Sequence, residues 1–329
     1  MKANEVKWCE GDREKLAGMI PLPAPISIQI EPANICNFRC EYCLQFRESY
    51  RNSYRPNLMT MEMYLKIVEG LKKFNGEIKT VLFARQGEPT LNANLPEMIK
   101  ILKEKNICKQ VKVITNGSML NPEYNLKLIE SGLDVIRISL QGLDSEQYQS
   151  VCGVQIDVEE LISNIRHFYE NKKQCKIFVK ILDKMVEGKE NLFYSMFGDI
   201  CDEISIEHMI DIDGSDGENS LNMMNEMLEN KVDVCSTPFY SIGIDAVGNI
   251  SPCCRNLYEM LNVGHVDTMD LYDYWNSRWL LNFQIMQLKG ERYSCIACKD
   301  CCVPNACLQK NDILDNEKER LLKVLNESR

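Results

Sequence analysis

Short apolar runs alternate with amphipathic stretches along the first two thirds of the chain. The runs are rich in Ile and Val, as strands of a buried parallel sheet are, and helical spacing of apolar residues follows them. The predicted strands are Ile26–Ile30, Thr80–Ala84, Val111–Thr115, Val135–Leu140, Lys176–Ile181 and Glu203–Glu207. The predicted helices are Met61–Phe74, Leu95–Lys105, Pro122–Ser131, Val158–Asn171 and Asn191–Asp199.

Six strand–helix units in succession predict an α/β fold with a parallel sheet. We expect the sheet to curl into a partial (β/α)6 TIM-type barrel, and an open doubly wound sheet is the alternative. In such barrels the functional residues follow the carboxyl ends of the strands. The loop directly after the first predicted strand is therefore a candidate active-site loop.

The alternation stops near Asp213, where a polar, Gly-bearing and Met-rich segment begins. From Cys235 onward the chain is dense in cysteine, which indicates a second, smaller module. The predicted units are an N-terminal extension (1–25), the barrel (26–212), a linker (213–232), a small cysteine-rich C-terminal domain (233–310) and a solvated C-terminal helix (311–329).

Charge and hydropathy narrow the possible partners. The chain has 329 residues, 38 basic and 48 acidic side chains, and a net charge of −10. This balance opposes nonspecific binding to nucleic acid or to an anionic membrane. No apolar run approaches the roughly 18 residues that span a bilayer, and the N-terminus lacks the apolar core of a signal peptide. We expect a soluble, cytoplasmic protein.

Cysteine is abundant, with 16 residues. In a large chain without a signal peptide, metal binding or redox chemistry is expected before disulfides. Cys36, Cys40 and Cys43 form a C-x3-C-x2-C triplet on one short segment. Three thiolates can hold three corners of a [4Fe–4S] cluster and leave one iron open. Structural zinc is the alternative, but it favours four N/S ligands in paired steps, and the chain has only three histidines.

The triplet resembles the signature of the radical S-adenosylmethionine (radical SAM) superfamily, in which an aromatic residue precedes the third cysteine. Further marks follow successive strands: a GEP turn after the second, TNG after the third and ISLQG after the fourth. Gln141 stands where many relatives have an acid, and Gln86 stands where they have a first glycine. The residues that the resemblance places near SAM are Tyr42, Gly87, Glu88, Asn116, Ser139 and Gln141.

The resemblance implies that Cys36, Cys40 and Cys43 hold a SAM-binding [4Fe–4S] cluster. An external one-electron donor such as flavodoxin or ferredoxin would reduce it. SAM would then be cleaved to a 5′-deoxyadenosyl radical that takes a hydrogen atom from a substrate C–H. Backbone groups of Gly87 and the Glu88 side chain would hold the SAM amino group.

The cysteine-rich module resembles the SPASM/twitch extension of the same superfamily, because Gly248 and Cys253 match its G-x4-C and a late C-x2-C follows a Trp-containing segment. The full two-cluster pattern fails, since residue 311 is Asn where a cysteine is required. We therefore favour one auxiliary [4Fe–4S] cluster, with structural zinc as the alternative. The resemblance implies the ligands Cys235, Cys253, Cys295 and Cys298.

The expected substrate is a small polar molecule such as a sugar, nucleotide-sugar or aminocyclitol. Only about 25 residues precede the first strand, so we expect no domain that binds a peptide leader. The reaction would be dehydrogenation or epimerisation, and Cys152 is the candidate hydrogen-atom donor for the latter, although packing is an alternative role. Rival donors are Cys254, Cys301, Cys302 and Cys307.

Charged residues at strand ends could bind the hydroxyl groups of such a substrate or form internal ion pairs. The candidates are Arg85, Lys180, Glu207 and His208. Two other functions stay open. One is a radical SAM maturase of a ribosomally made peptide, and the other is a non-catalytic iron–sulfur electron-transfer protein.

Overall fold

The computed structural model describes residues 1–6, 14–75, 77–208, 232–253, 260–299, 301, 304 and 309–327. The strands in this part of the chain are β1 (Asn4–Glu5), β2 (Ser27–Ile30), β3 (Thr80–Phe83), β4 (Gln110–Thr115), β5 (Val135–Leu140), β6 (Lys176–Leu182), β7 (Glu203–Glu207), β8 (Ser241–Ile244), β9 (Asn249–Ser251) and β10 (Gly264–His265). The first α-helices are α1 (Leu16–Met19), α2 (Glu48–Arg51), α3 (Met61–Lys72), α4 (Leu95–Glu104), α5 (Pro122–Glu130) and α6 (Ser145–Cys152). They are followed by α7 (Val158–Asn171), α8 (Asp183–Val186), α9 (Glu190–Phe197), α10 (Leu271–Trp275), α11 (Arg278–Leu288) and α12 (Lys318–Glu327).

The six predicted strands and five predicted helices are confirmed, each within about two residues at either end, the usual uncertainty of element boundaries. Local chemistry explains where they begin. Thr60 caps α3 by accepting from the Met63 backbone N–H, and Asn121 caps α5 by accepting from the Tyr124 N–H. Gly132 follows α5 in the left-handed conformation, as its position after the predicted helix suggested.

The six strands β2 to β7 pair in parallel and in sequence order. Alternate positions on one face, such as Ile28, Val81, Ile136 and Ile204, have no exposed surface. The positions between them include Arg137, Lys180 and Glu207, on the other face of the sheet. Helices therefore cover one face, and the second face is a polar lumen. This arrangement confirms the partial barrel over the doubly wound sheet, in which both faces are apolar.

The cysteine-rich module adds strands to the same sheet. Strand β8 pairs in parallel with β2, and β9 and β10 continue the sheet in antiparallel pairing. At the opposite edge β1 pairs in parallel with β7. We call the antiparallel pair β8 and β9 the auxiliary hairpin. It lies directly beside β2, the first barrel strand, and this pairing was not predicted from the sequence.

The predicted solvated C-terminal helix is half-buried instead. Leu321 and Leu325 of α12 pack in a second apolar core with Leu16, Phe239 and Leu288. The spacing of Leu321 and Leu325 puts both on one helix face, which explains the burial. The predicted linker, 213–232, lies outside the described residues except for its last position.

A helix was also missed between β5 and α7. The segment that holds Cys152 was expected to be a loop, but it forms α6. Asp144 caps its start by accepting from the Gln147 backbone N–H, and Gly153 ends it with φ of 68°. Both signals are visible in the sequence, since Asp is a strong N-cap and Gly readily adopts the left-handed conformation.

Candidate active site

The loop after β2 carries the three early cysteines near one another at the carboxyl edge of the sheet, although no preformed group of three metal-ligating side chains occurs among the described residues. The Cys43 backbone N–H donates to the Cys40 carbonyl at 2.8 Å, and the Phe38 N–H donates to the Cys36 sulfur at 3.4 Å. Burial raises the pKa of Cys36 to about 12, and the nearby groups of Glu88, Cys40 and Cys43 act in the same direction. Thiolates are the usual ligands of [4Fe–4S] clusters, so the donor set fits.

The GEP turn after β3 lies directly against this loop. The Glu88 backbone N–H donates to the Ile35 carbonyl at 2.8 Å. A Cβ at Gly87 would overlap the Ala33 carbonyl and lie 2.7 Å from the Ile35 oxygen. Only glycine fits this approach of two backbones. The close contact fixes the GEP turn against the cysteine loop, and the predicted contact of Gly87 with the SAM amino group stays a prediction.

The Glu88 carboxylate is buried and holds the ends of β3 and β4 together. One oxygen accepts from the Thr90 backbone N–H, the Thr90 hydroxyl and the Thr115 hydroxyl, at 3.0, 2.6 and 2.7 Å. The other accepts from the Asn116 N–H at 2.7 Å. Burial raises the pKa of Glu88, and these hydrogen bonds oppose the shift. Glu88 therefore positions Asn116, and its predicted direct contact with SAM stays a prediction.

The other predicted SAM-binding residues converge on the same place. The Asn116 amide donates to Asn37 at 2.9 Å and lies 3.9 Å from the Cys36 sulfur. The Tyr42 hydroxyl donates to the Gln141 side chain. The Gln141 amide in turn donates to the Ser139 carbonyl at 3.1 Å. The structure thus joins the cysteine loop to the ends of β4 and β5.

Cys152 occupies a different position from the one expected. It ends α6, has 0 % exposure, and its sulfur lies 3.4 Å from that of Cys40. The predicted place in a loop over the barrel mouth is therefore wrong. A hydrogen-atom donor must reach the substrate carbon, and a thiol with no exposed surface in the described structure does not. Its assignment as catalytic rests on the sequence analysis alone.

Within the lumen, charged side chains from three strands meet. Glu207 of β7 accepts from Lys180 of β6 at 2.8 Å and from Arg137 of β5. The Arg137 guanidinium also stacks on the Phe178 ring at 4.5 Å, and Ser205 lies 3.4 Å from Glu207. Lys180 and Glu207 were candidates from the sequence. Arg137 was missed, although a charge that alternates with Ile in a buried strand is a visible signal.

The two other charged candidates at strand ends, His208 and Arg85, do not join this ion cluster. His208 is exposed and pairs with Asp183 at the start of α8, at 2.7 Å, outside the lumen. Arg85 points toward the auxiliary hairpin and lies 3.4 Å from the Ser251 hydroxyl.

In the cysteine-rich module, Cys295 and Cys298 form a tight turn in which the Cys298 N–H donates to the Cys295 carbonyl at 2.9 Å. Burial raises the pKa of Cys298, and the neighbouring Cys295, Cys235 and Cys301 thiols add to the shift. Cys253 follows β9, and its carbonyl accepts from Ser251 at 3.0 Å. Cys235, Cys295, Cys298 and Cys301 are neighbours, and their thiol chemistry suits an iron–sulfur cluster; the predicted role of Cys253 as a ligand stays a prediction.

Cys301 was a rival hydrogen-atom donor in the sequence analysis, and the structure adds it to this thiol group. The other rivals, Cys254, Cys302 and Cys307, lie outside the described residues. In the described ranges, none of the helices has the length and apolar character needed to cross a bilayer.

Family models match two parts of the chain. Residues 30–191 match the radical SAM superfamily, and residues 235–302 match SPASM, an iron–sulfur cluster-binding domain. A curated relative is the GTP 3′,8-cyclase of Staphylococcus haemolyticus, 25% identical over 224 residues, with 64% of this chain and 63% of the relative covered. A probable GTP 3′,8-cyclase of Methanococcus maripaludis is 35% identical over 116 residues, with 35% and 36% covered. The chain therefore spans between about a third and two thirds of the length of these relatives.

Solved structures share the fold across most of the chain. The structure of BtrN in complex with AdoMet and 2-DOIA has a TM-score of 0.56 and 17% identity, with 87% of this chain and 97% of that chain covered. The structure of anSMEcpe with bound AdoMet has a TM-score of 0.61 and 17% identity, with 92% and 96% covered. The chain belongs to the radical SAM superfamily, carries a C-terminal SPASM domain, and uses SAM and [4Fe–4S] clusters as cofactors.

Proposed function

We propose that this radical SAM enzyme dehydrogenates a hydroxyl-bearing carbon of a small polar substrate, such as a sugar, nucleotide-sugar or aminocyclitol. The observation that carries the proposal is the polar lumen built by Arg137, Lys180 and Glu207. A lumen that served only as a core would be filled with branched apolar side chains. Charged groups held in a fixed arrangement suit a ligand with several hydroxyl or amino groups.

Residues at different positions would have different roles in this reaction. Cys36, Cys40 and Cys43 would hold the SAM-binding cluster, and Gly87 and Asn116 would bound the SAM site. When bound, SAM and its cluster supply the radical that removes a hydrogen atom, and the auxiliary cluster supplies an acceptor for the remaining electron. A carbonyl product also requires loss of the hydroxyl proton. Glu207 offers a carboxylate in the lumen for that proton.

Dehydrogenation is favoured over epimerisation by the place of Cys152. Epimerisation needs a hydrogen atom returned from the opposite face of the substrate carbon. The Cys152 thiol is enclosed between α6 and the cysteine loop and is not exposed to the lumen. The names of the curated GTP 3′,8-cyclases indicate a nucleotide substrate, which supports a small polar class for this chain as well.

The test is anaerobic reconstitution, followed by SAM, dithionite and a panel of sugars, nucleotide-sugars and aminocyclitols. We expect 5′-deoxyadenosine, and we expect a ketone in equal amount with one class of compound. Alanine at Cys36, Cys40 and Cys43 should abolish 5′-deoxyadenosine. Alanine at Cys298 should leave part of the SAM cleavage and block ketone formation.

Alanine at the buried Cys175, which lies at the opposite end of the barrel, is the matched control and should retain both products. An intact cluster without 5′-deoxyadenosine would favour the electron-transfer protein. Turnover of a precursor peptide without turnover of the small molecules would favour the peptide maturase. A product with an inverted carbon would favour epimerisation.

A further inference from the structure

Arg85 has a backbone conformation that an arginine rarely adopts. Its φ is 135°, in the region where L side chains are strained, and it stands two residues before Gly87. Such a conformation persists only where the surroundings impose it. Here the next residue is fixed, because the Gln86 N–H donates to the buried Glu31 carboxylate at 2.8 Å.

The Arg85 side chain reaches past the end of β2, the strand between β3 and β8, to the auxiliary hairpin. It lies over Gly243 of β8, where any Cβ would overlap its Nη1 atom. Nη1 reaches the Ser251 hydroxyl only at 3.4 Å, a long hydrogen bond. Nε is buried, and it has no hydrogen-bond partner among the described residues. The strained backbone therefore holds a cation whose donors are poorly used by the protein.

The two nearby carboxylates are engaged elsewhere. Glu31 accepts from the Gln86 and Ala246 backbone N–H groups, at 2.8 and 3.3 Å. Asp245 accepts from the backbone N–H groups of residues 247 and 249 and from the Asn249 amide, at 3.1, 2.8 and 2.8 Å. Across the described ranges, neither comes within ion-pair distance of Arg85. Burial raises the pKa of Glu31, and the guanidinium is close enough to oppose that shift, although no hydrogen bond joins it to either acid among the described residues.

We infer that Arg85 is a substrate-binding residue that takes an oxyanion, a phosphate or a carboxylate, carried by the substrate. The inference rests on the proposed function and narrows its substrate class to anionic sugars. A guanidinium presents a planar fork of donors that matches both groups, and it binds them more strongly where water is excluded. Its place allows this role, since Arg85 precedes the Gly87 turn by two residues and its Nη1 atom lies beside Gly243 and Ser251 of the auxiliary hairpin.

The orientation of Arg85 argues against the SAM carboxylate as its ligand. The guanidinium contacts the β8–β9 hairpin. The predicted SAM-binding residues Asn116, Ser139 and Gln141 stand instead at the ends of β4 and β5, on the other side of β3.

The test is calorimetric titration of the reconstituted holoenzyme with SAM bound. The probes are glucose 6-phosphate, glucuronate and neutral glucose. We expect at least one anion to bind tenfold or more tightly than glucose. Arg85→Gln should reduce that affinity about tenfold to a hundredfold, and Arg85→Lys should lie between. Preference for glucose 6-phosphate identifies a phosphate as the group, and preference for glucuronate identifies a carboxylate.

Arg278→Gln removes an exposed arginine of α11 and is the matched control, with unchanged affinity expected. Arg85→Gly gives a second readout. It should relieve the backbone strain and raise the Tm of the apoprotein by roughly 2 °C while anion binding is lost. A lower Tm would identify Arg85 as a structural residue and overturn the inference.

Three binding results also overturn it: equal affinity for glucose and both anions, unchanged anion affinity in Arg85→Gln, or an equal loss of SAM affinity in that variant. Each of these leaves the proposed function standing if 5′-deoxyadenosine and a ketone still form. Absence of 5′-deoxyadenosine in the wild type, with anion binding at Arg85 intact, would contradict the proposed function and leave the inference about Arg85 standing.

Discussion

The sulfur atoms of Cys40 and Cys152 lie 3.4 Å apart, although 112 positions separate them in the chain. The contact is part of a larger junction. The carbonyls of Val151 and Cys152, at the end of α6, accept from the backbone N–H groups of Glu41 and Arg39, each at 3.0 Å. Carbonyls at a helix end have no partner within the helix, so the cysteine loop satisfies two of them. The C-terminal end of α6 therefore binds the cysteine loop on both sides of Cys40, through Arg39 and Glu41.

This junction predicts that Cys152 tunes the SAM-binding cluster. In the structure the Cys40 thiol donates to the Cys152 sulfur; once Cys40 ligates the cluster as a thiolate, Cys152 would be the donor and would stabilise the reduced, more negative cluster. Cys152→Ala should lower the midpoint potential by about 20–40 mV, the equivalent of about 0.5–1 kcal/mol for one electron. A redox titration followed by electron paramagnetic resonance measures it. Cys152→Ser should restore most of the potential, and Cys175→Ala should leave it unchanged. Equal potentials in all four proteins would exclude the hydrogen bond.

Glu88→Gln should destabilise the barrel and weaken SAM binding together. Two backbone N–H groups and the hydroxyls of Thr90 and Thr115 donate to the carboxylate. In the variant, the glutamine NH2 group would face some of these N–H and O–H donors, with which it cannot form a hydrogen bond. The remaining side-chain oxygen would be neutral, so its hydrogen bonds would be weaker. We expect the free energy of unfolding to fall by about 2–4 kcal/mol. Urea unfolding of the apoprotein and SAM titration measure both effects. Glu97→Gln, at an exposed position of α4, should change neither.

The barrel could be predicted from sequence because each strand carries an apolar face of its own. Val135–Leu140 was assigned with its observed bounds, since alternating Ile residues mark it. The strands that join the two modules were not predicted. Ser241–Ile244 is four residues long and entirely buried, and a short apolar run does not reveal its partner. Its pairing with β2 depends on long-range packing.

In the candidate site, too, features marked by local sequence could be predicted and features that depend on long-range contacts could not. Local motifs predict the three cysteines, Gly87 and Asn116, because each belongs to a loop that follows a strand, and their roles toward SAM and the cluster stay predictions. Long-range contacts decided the rest. The burial of Cys152 depends on how α6 meets the cysteine loop, and the strain at Arg85 depends on Glu31. Neither contact has a signature in the nearby sequence, so geometry was needed to assign these residues.

The lumen ion cluster predicts a large cost for removing its shared carboxylate. Glu207 is 9% exposed and accepts from both Lys180 and Arg137. Glu207→Gln leaves the buried Arg137 and the half-buried Lys180 without their common anion, and removing one partner of a buried pair costs about 3–5 kcal/mol. Chemical denaturation of the apoprotein measures the loss.

The matched control is Glu123→Gln on the surface of α5. Glu123 is 80% exposed and pairs with Lys127 at 2.7 Å. Exposed pairs of this kind contribute at most about 0.5 kcal/mol. A similar small effect at Glu207 would indicate that solvent reaches the lumen freely, and it would weaken the case for a shaped substrate site.

Gly243→Ala tests the seam between the barrel and the auxiliary hairpin. Its Cβ would overlap Nη1 of Arg85 and lie 2.9 Å from the Ser251 hydroxyl and 3.0 Å from the Cys253 carbonyl. We expect a loss of about 1–3 kcal/mol in the free energy of unfolding, as for other overpacked sites. Arg85→Ala should recover part of that loss in the double variant, because the flexible guanidinium is one of the three clashing groups. Gly18→Ala, in α1 with open space around it, should be neutral or stabilising by up to about 1 kcal/mol. If the two losses simply add in the double variant, Arg85 does not lie over Gly243, and the route of its side chain into the seam is wrong.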